Sequence, residues 1–332
     1  MDDLKKILVF RTDRLGDFII SKSVLNTLFQ TKQFLIDIVV SKQNYDYVKN
    51  FKSFNNIYIF KKNFLKFFLL NKDLLFKKYD YILIHDGKRR SHFLSLFVRG
   101  KKFSLIKFSK SSIFYKFIKI FNFTTYYNSE NTKLYDNLHF LNLLINVNKN
   151  ISTNNFYFDY EFDESFSLNK KYCIFHLDEK WFKNYYYNDF TYPEWSIPLF
   201  NQIINIIKNK FNLPILITTG NIKIKFLENL INSQFTKSSK NIYMHNELKD
   251  NLLFINNLSF RQIEFVLKKN CSILISCEGG LTHLSNNLNI KTFAFVQKNR
   301  VNFYKHWTGH MRNIKLCERS DSSTLLNILS NL

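Results

Sequence analysis

Short apolar runs rich in β-branched residues alternate along this chain with longer segments of helical periodicity, beginning with Ile-Leu-Val-Phe at residues 7–10. One face of the helix predicted next is apolar and contains Phe18, Val24, Leu25, Leu28 and Phe29. This alternation predicts parallel strands joined by crossover helices, because parallel neighbours need a long connection. Further strands are predicted at residues 36–40, 57–60 and 81–84. The chain therefore begins with half of a doubly wound α/β sheet.

The same alternation restarts after a polar stretch without regular period over residues 148–170. Strands are predicted at residues 172–175, 214–218, 273–276 and 292–295, and helices at residues 195–210, 225–234 and 259–269. Ser259 and Gln262 have the spacing of a capping box at the start of the last helix. Because 332 residues suffice for two domains, we predict an N-terminal domain over residues 1–160 and a C-terminal domain over residues 161–332, whose last helix can cross back.

Basic residues dominate the charge of the chain, since 48 Lys and Arg stand against 26 Asp and Glu and leave a formal net charge of +22. Such an excess predicts attraction to nucleic acid, an acidic membrane surface or a phosphorylated glycolipid. Compositional drift toward Lys, Asn, Ile and Phe, with 7 Gly and 3 Pro, is an alternative explanation of the excess. Hydrophobic residues make up 45% of the chain, which is typical of folded domains and excludes a disordered protein.

The cysteines and the apolar segments predict a cytoplasmic protein. The four cysteines form no C-x-x-C pair and lack zinc-ligand spacing, as expected of free thiols in a reducing compartment. The N-terminus lacks the apolar core of a signal peptide, and no stretch approaches the roughly 20 apolar residues of a membrane span. Residues 61–78 interleave basic with apolar side chains, which predicts either a core-facing helix with a solvated basic face or a segment that docks on a membrane or acceptor.

The first candidate site is the segment Arg11-Thr-Asp13-Arg14-Leu-Gly16-Asp17, which follows the first predicted strand and opens the first helix. Open α/β sheets bind ligands at the carboxyl ends of their strands. Gly16 would allow a tight turn or the close approach of a ligand. Asp17 would lie in the first helical turn, where the dipole favours a carboxylate, or it would simply cap the helix. Arg11 and Arg14 could hold an acidic substrate group or tune the neighbouring carboxylates.

The second candidate site is Ser-Cys-Glu-Gly-Gly-Leu-Thr-His at residues 276–283, where a predicted buried strand runs into a glycine pair and a helix. Gly279 and Gly280 would expose main-chain N–H groups at a helix N-terminus, which is a site suited to a diphosphate. Thr282 and His283 could add side-chain donors. Glu278 could accept hydrogen bonds from sugar or ribose hydroxyls. Each of these residues alone is as readily explained as a turn or a structural side chain.

The pairing of an R-T-D-R-L-G-D start with a late S-C-E-G-G-L-T-H-L segment resembles glycosyltransferase family 9, the ADP-heptose:lipopolysaccharide heptosyltransferases, over nearly the whole chain. Further similarities lie at residues 79–87, 215–220 and 291–296. The resemblance implies a GT-B fold of two Rossmann-like domains facing a central cleft, with acceptor bound by the first domain and donor by the second. It also implies an inverting, metal-independent transfer of heptose from ADP-heptose, or of a similar donor sugar, onto a lipopolysaccharide core or related envelope glycan.

The resemblance also implies roles for individual residues. Asp17 matches the proposed catalytic carboxylate and would act as general base on the acceptor hydroxyl. A lysine that precedes a tryptophan contacts the donor phosphate in the family, and we assign it to Lys180 before Trp181, although Trp195 competes and Lys183 is a second choice. The remaining donor-binding residues would be Glu278, Gly279, Gly280, Leu281, Thr282 and His283. The remaining residues that bind the acceptor or support the site would be Arg11, Asp13, Arg14 and Gly16.

Two departures from the family pattern leave the donor open. The late motif usually has Asp followed by Thr or Ser, whereas this chain has Glu278 and Gly279. No acidic residue follows Gly220, where the family often binds the nucleoside ribose. Another nucleotide sugar is therefore as compatible with the sequence as ADP-heptose. Because no Asp-x-Asp motif stands in a suitable loop, we expect neither a metal nor a cofactor.

Two other functions remain open at this level. A basic protein rich in Phe and Tyr could bind nucleic acid, but the basic residues are scattered and no recognition motif is present, so we do not expect a nucleic-acid partner. The departure at Glu278 also fits an inactive glycosyltransferase-like protein that serves as an assembly partner. The expected partners are a nucleotide-sugar donor and an anionic glycolipid acceptor. The expected location is the cytoplasm, with peripheral contact at the inner face of the bacterial inner membrane.

Overall fold

The computed structural model describes residues 4–49, 51–107, 110–127, 133–147, 170–182, 193–298 and 300–332. The chain divides into two compact units, Met1–Asp159 and Tyr160–Leu332. Each unit contains a mainly parallel sheet with helices on both faces, so the predicted α/β fold class is confirmed. The linker predicted at residues 148–170 lies outside the described residues, apart from residue 170.

Six parallel strands are formed by the residues that the structure describes in the first unit. They are β1 (Lys5–Arg11), β2 (Phe34–Val40), β3 (Asn56–Ile59), β4 (Lys78–Ile84), β5 (Arg99–Ile106) and β6 (Thr124–Tyr127). Their order in the sheet is β3-β2-β1-β4-β5-β6. The chain thus proceeds outward from β1 in one direction, returns across the sheet, and proceeds outward from β4 in the other direction. This is the strand order of a doubly wound nucleotide-binding fold.

Among the described residues of the first unit, seven α-helices connect these strands or follow them. They are α1 (Leu15–Gln30), α2 (Lys42–Val48), α3 (Phe64–Leu70), α4 (Lys72–Phe76), α5 (Arg89–Ser95), α6 (Ile113–Ile120) and α7 (Leu134–Leu143). Because parallel crossovers are right-handed, the reversal of direction puts α1 and α2 on one face of the sheet and α3 to α6 on the other. Phe67, Leu74, Leu94 and Ile118 from the second group share one buried cluster with strand residues.

The residues described for the second unit form eight strands. They are β7 (Tyr172–His176), β8 (Ile215–Thr218), β9 (Phe235–Lys237), β10 (Ile242–His245), β11 (Lys249–Ile255), β12 (Cys271–Cys277), β13 (Lys291–Gln297) and β14 (Ile314–Arg319). Their order is β14-β13-β12-β7-β8-β11-β10-β9. The six strands from β14 to β11 are parallel, and β9 and β10 extend one edge in antiparallel fashion. The parallel part therefore repeats the winding of the first unit.

Six α-helices lie in the described part of the second unit. They are α8 (Ile197–Phe211), α9 (Lys225–Gln234), α10 (Phe260–Asn270), α11 (Gly280–Asn287), α12 (Val301–Thr308) and α13 (Ser322–Ser330). Helices α8, α9 and α13 cover one buried cluster, whereas α10 and α11 cover another. The last helix, α13, packs against α8 and β14 of the same unit.

Most element boundaries follow local signals in the sequence. The predicted helix at residues 225–234 has the bounds of α9, and the capping box of Ser259 and Gln262 is formed at the start of α10. Helix α8 begins later than predicted because Ser196 is its N-cap and accepts a hydrogen bond from the Leu199 N–H. Gly16 does not form the predicted turn, since it is the second residue of α1, whose N-cap is Arg14. None of the helices described is long and apolar enough to span a bilayer.

Candidate active site

Both predicted motifs lie where the strand order of their sheet reverses. In the first unit this point is between β1 and β4, whose carboxyl ends are followed by the Thr12–Arg14 loop and by His85 and Asp86. In the second unit it is between β7 and β12, whose carboxyl ends lead to Lys180 and to Glu278. Adjacent loops diverge at such a point and leave a crevice in which doubly wound folds bind ligands. Each motif thus follows the strand-reversal point of its own sheet, which is where doubly wound folds bind ligands.

Arg11 is fully buried and holds the first site together. Its Nε and Nη2 atoms donate hydrogen bonds to the main-chain oxygen of Asp17, at 3.0 and 2.6 Å, and Nη1 donates to the main-chain oxygen of His85 at 2.7 Å. The guanidinium also lies 3.2 Å from an Asp13 carboxylate oxygen and 3.8 Å from an Asp17 oxygen. The Arg11 guanidinium is thus engaged by main-chain oxygens and carboxylates of the protein itself. Arg11 therefore supports the site and does not face a ligand.

Asp86 connects the loops after β1 and β4 and was absent from the site predicted by sequence. One oxygen of this fully buried carboxylate accepts from the Thr12 N–H at 3.0 Å and from the Thr12 and Ser91 hydroxyls, each at 2.7 Å. The other oxygen accepts from the Lys88 N–H at 3.0 Å. The signal that could have revealed Asp86 is the same as for Asp17, an acidic residue and a glycine directly after an apolar strand.

Asp13 and Asp17 present two carboxylates with different surroundings. Asp13 is buried, and no described residue donates a hydrogen bond to its carboxylate. Burial raises the pKa of Asp13 to about 6, while the Arg11 charge acts in the opposite direction and the charges of Asp17 and Asp86 add to the increase. Asp17 lies in the first turn of α1 with its side chain 23% exposed. Of the two, the Asp17 carboxylate is the one that a substrate can reach.

Cationic side chains surround these carboxylates. Arg90 donates from Nε to the Thr12 hydroxyl at 3.0 Å and from Nη2 to the Thr12 main-chain oxygen at 2.6 Å. Its guanidinium also stacks over the Phe60 ring, with 4.7 Å to the centroid. Lys107 is close enough for its charge to act on Asp13, Asp17 and Asp86. The first site can therefore bind hydroxyl groups through its carboxylates and an acidic group through its cations.

In the second unit, the loop after β7 presents Lys180 at the reversal point. The Asp178 carboxylate accepts from the Lys180 N–H at 2.8 Å, and buried Trp181 donates from its indole N–H to the His176 oxygen at 3.0 Å. The Lys180 ammonium donates to the main-chain oxygen of Glu278 and lies 3.4 Å from that residue's Oε1. Local structure thus places Lys180 beside the glycine pair, whereas Lys183 lies outside the described residues.

Gly279 makes room for the lysine. Its φ of +155° lies in the region that favours glycine, and a Cβ there would stand 3.3 Å from the Lys180 Nζ. Helix α11 begins at Gly280, and the first N–H groups of a helix have no intrahelical acceptor. The Thr282 hydroxyl donates to the Gly279 oxygen at 2.7 Å and accepts from the Gly279 N–H at 3.3 Å, so it caps the helix. An anion at this end would meet the amides of Gly280 and Leu281 and the ammonium of Lys180.

Glu278 offers an acceptor next to this cationic end. The side chain is buried, and its Oε1 accepts from the Tyr304 hydroxyl at 3.0 Å. Its Oε2 is buried as well and accepts no hydrogen bond from the described residues. A buried carboxylate oxygen without a donor is costly, so a ligand hydroxyl that donates there would satisfy it. Tyr304 was not predicted from the sequence, because it comes from α12 and only the tertiary fold brings it to Glu278.

Other charged groups hold the lysine in place. Arg319, at the end of β14, donates from Nη1 to the Lys180 main-chain oxygen at 2.6 Å. Burial lowers the pKa of Lys180, but the charges of Glu278 and Asp178 outweigh it, so the pKa lies above its ordinary value and the ammonium stays charged. Burial, together with the charge of Lys180, lowers the pKa of His176 to about 3, which keeps that imidazole neutral. A permanent cation beside a helix N-terminus is suited to a diphosphate.

His283 and Leu281 are largely buried. The His283 ring is parallel to that of His310, with 6.3 Å between centroids. Leu281 contributes its side chain to the core cluster under α10 and α11, so only its main-chain amide can serve a ligand. Among the described residues there is no group of three or more His, Cys, Asp and Glu side chains that could hold a metal ion.

An open cavity of about 320 Å³ lies beside the lysine loop, on the same edge of the sheet. Its lining residues follow β7 and β8 and are Phe182, Pro193, Glu194, Trp195, Lys223, Ile224, Lys225 and Phe226. Trp195 packs against Trp181 with 6.0 Å between ring centroids, which connects the cavity wall to the lysine loop. Aromatic walls flanked by lysines can accommodate a planar ring by stacking.

Comparison with solved structures shows which proteins share this fold. The heptosyltransferase WaaC of Escherichia coli with ADP superimposes with a TM-score of 0.63 and 14% identity, covering 98% of this chain and 97% of that one. A family 9 glycosyltransferase from Veillonella parvula gives a TM-score of 0.64 at 12% identity, covering 95% of this chain and 86% of that one. The ADP-heptose lipopolysaccharide heptosyltransferase II of E. coli gives 0.60 at 13% identity, covering 98% of each chain.

These likenesses confirm the GT-B fold predicted from the resemblance, and at such low identity they concern the fold alone. No protein-family model matches the chain. A search of curated proteins finds no match either.

Proposed function

We propose that the protein is a glycosyltransferase that binds a nucleotide-sugar donor in its second unit. The observation that carries the proposal is the Lys180 ammonium, which lies beside Gly279 and the N-terminus of α11 where the strand order of the sheet reverses. A cation, exposed helix amides and a close main-chain approach together suit a diphosphate. The shared fold with a heptosyltransferase solved with ADP supports the same choice.

The second unit would stabilise the leaving group. The amides of Gly280 and Leu281, the dipole of α11 and the Lys180 ammonium would offset the charge that develops on the nucleoside diphosphate as the glycosidic bond breaks. The free Oε2 of Glu278 would accept a hydroxyl of the donor sugar or ribose. Because Tyr304 and Lys180 already hold the other oxygen, Glu278 would be correctly oriented before the donor binds.

The first unit would supply the base. We assign this role to Asp17, because its carboxylate is accessible and that of Asp13 is buried. Asp17 would take the proton of the acceptor hydroxyl while that oxygen attacks the anomeric carbon. The bond from the carbon to the diphosphate oxygen breaks, the electron pair leaves with the nucleoside diphosphate, and the configuration inverts. The surrounding cations, Arg14, Arg90 and Lys107, would attract an acidic acceptor.

The family default is transfer of heptose from ADP-heptose to a lipopolysaccharide core, and we propose this class of reaction. The Glu278-Gly279 sequence and the lack of an acidic residue after Gly220 leave other nucleotide sugars as donors to be tested. An anionic glycolipid acceptor would place the enzyme in the cytoplasm, in peripheral contact with the inner face of the bacterial inner membrane.

The test is turnover of the Asp17→Asn variant with a panel of nucleotide sugars and a truncated lipopolysaccharide core as acceptor. Loss of the base should reduce turnover by about 10²–10⁴-fold while nucleoside diphosphate binding changes little, because Asp17 belongs to the other unit. The matched control is Asp46→Asn, which removes an exposed carboxylate of the same unit. Equal turnover by wild type and Asp17→Asn would exclude Asp17 as base. Donor binding without turnover of any sugar would favour an inactive assembly partner.

A further inference from the structure

Exposed apolar side chains are concentrated in one part of the first unit. Across the described residues, ten of the twelve large apolar side chains that are exposed fall between Leu65 and Tyr127, and none belongs to the second unit. Nine of them lie on or next to α3, α4, α5 and α6, namely Leu65, Leu69, Leu70, Phe76, Phe93, Phe97, Ile113, Ile120 and Phe121. Scattered exposed apolar residues are ordinary, but a cluster of this kind marks an interaction surface.

These four helices form one continuous layer on the sheet. They lie on the same face, opposite α1 and α2, and cover one buried cluster. Helix α5 lies between its neighbours, since the Phe68 ring of α3 packs against Phe97 at 5.5 Å and the Arg89 guanidinium of α5 stacks over the Phe114 ring of α6 at 5.5 Å. Their outward-facing side chains therefore belong to one surface, which we call the basic apolar face.

The two outer helices of the layer are apolar on both sides. In α3, Phe67 and Phe68 are buried, whereas Leu65 and Leu69, one turn apart, are 71% and 76% exposed. In α6, Ile118 is buried, whereas Ile113 and Ile120, two turns apart, are 86% and 76% exposed. A helix that only covers a core has one apolar stripe. The second stripe has no function in the core, so it requires an apolar medium outside the unit.

Lys and Arg occur throughout the chain, but the net positive charge is concentrated in the same segment, because acidic residues are few there. Residues 61–121 contain sixteen Lys and Arg and three Asp, which accounts for thirteen of the net twenty-two positive charges in fewer than a fifth of the residues. Exposed Lys62 and Lys66 adjoin Leu65 and Leu69, and exposed Lys116 and Lys119 lie between Ile113 and Ile120. Six of the sixteen basic residues lie within α3 to α6, and the others lie in the adjoining strands and loops.

We propose that the basic apolar face binds the surface of an anionic lipid bilayer, with Leu65, Leu69, Ile113 and Ile120 inserted among the acyl chains and the flanking lysines on the lipid phosphates. Exposed apolar side chains flanked by lysines are typical of helices that lie in the membrane interface. A second copy of this chain fits poorly, because two such faces would repel each other. Nucleic acid fits poorly as well, because exposed Leu and Ile neither stack on bases nor contact phosphates.

The choice of a membrane as partner rests on the proposed function, but the test needs neither donor nor acceptor. The full chain is sedimented with phosphatidylcholine vesicles with and without phosphatidylglycerol. Two double variants, Leu65→Asn/Leu69→Asn and Ile113→Asn/Ile120→Asn, change exposed side chains on separate helices. Their apolar control is Leu143→Asn, an exposed leucine on α7 that packs against α1 on the other side of the unit. A third double variant, Lys66→Glu/Lys116→Glu, reverses two charges of the face, and Lys208→Glu on α8 is its control.

We expect the wild type to bind the anionic vesicles with an affinity that weakens as salt rises. Each apolar double variant and the Lys66→Glu/Lys116→Glu variant should lose about tenfold or more in vesicle affinity, while both control variants bind as wild type does. Wild-type affinity in both apolar variants, or an equal loss in Leu143→Asn, would overturn the proposal. Retained vesicle binding in the apolar variants with competition by RNA would identify a nucleic-acid surface instead. Sugar transfer without vesicle binding would contradict only this inference. Vesicle binding through this face without turnover would contradict only the proposed function.

Discussion

Asp13 and Asp17 stand four residues apart beside the same arginine, yet their environments give them different properties. The Asp13 carboxylate is buried without a hydrogen-bond donor among the described residues, and the Arg11 guanidinium lies 3.2 Å from it. The Asp17 carboxylate is accessible and lies at the N-terminal end of α1. The buried group contributes to the field around the accessible one and can exchange a proton near neutral pH. This difference is invisible in the sequence, where both are acidic residues in one motif.

The raised pKa of Asp13 predicts a pH dependence of stability. Since the pKa rises from 3.8 in the unfolded chain to about 6 in the folded chain, the folded state binds this proton more tightly. The contribution of Asp13 to stability is thus largest below about pH 4 and falls by about 1–3 kcal/mol as pH rises through about 6. Burial is the main cause of this shift, and the charges that face Asp13, those of Arg11, Asp17, Asp86 and Lys107, modify it.

Asp13→Asn, which is neutral throughout, should remove this decline. Urea unfolding of wild type and variant near pH 4 and near pH 7.5 measures it, and the variant should gain stability relative to wild type at the higher pH. Asp46→Asn, at an exposed carboxylate, should leave the decline unchanged. Parallel pH profiles for wild type and Asp13→Asn would show that Asp13 titrates at its ordinary pKa in the folded chain.

At the scale of helices and strands, the sequence predicts the parts of each site that depend on local signals. The strand ends before Thr12 and Glu278, the helix starts at residues 15 and 280, and the capping box of Ser259 arise from apolar runs, glycines and caps within a few residues. Because both motifs directly follow a strand, their position at a sheet edge could be predicted as well.

The partners that complete each site could not be predicted, since they come from distant strands and helices. Asp86 reaches Thr12 across 74 residues, Tyr304 reaches Glu278 across 26, and Arg319 reaches Lys180 across 139. Strands β5, β6, β11 and β14 and the antiparallel pair β9 and β10 were also not predicted. The prediction for residues 61–78 was partly right, because α3 and α4 bury Phe67 and Leu74 but expose an equally apolar outer side.

The hydrogen bonds from Thr12 to Asp86, which connect the loops after β1 and β4, can be tested at the scale of these elements. Asp86→Ala removes the acceptor of the Thr12 N–H and of two buried hydroxyls, and leaving buried donors unpaired costs about 1–3 kcal/mol each. We expect a loss of about 3 kcal/mol or more in the free energy of unfolding, measured in urea. Asp80→Ala, on the preceding strand β4, removes one exposed hydrogen bond from the Lys6 N–H and should change stability by less than about 1 kcal/mol. Similar losses in the two variants would contradict the role given to Asp86.

At the scale of the whole molecule, each unit has its own doubly wound sheet and its own site at the point of strand reversal. The first unit adds a basic apolar face, and the second adds a cationic helix N-terminus with a buried carboxylate. This division fits the proposed transfer of a sugar to a membrane glycolipid, in which the first unit would bind the acceptor and the second the donor. The proposed function therefore depends first on whether the second unit binds a nucleoside diphosphate.

Calorimetric titration of the full chain with ADP, UDP, GDP and CDP tests this most directly, with Gly279→Ala and Gly220→Ala as a matched pair. A Cβ at Gly279 would meet the Lys180 Nζ at 3.3 Å in a backbone conformation that favours glycine, whereas a Cβ at Gly220 would meet nothing within 4 Å. We predict that one diphosphate binds in preference to the others and that Gly279→Ala weakens its affinity by about tenfold or more. Gly220→Ala and Asp17→Asn should bind it as wild type does. Absence of binding to all four diphosphates, or equal binding by Gly279→Ala and wild type, would contradict this prediction.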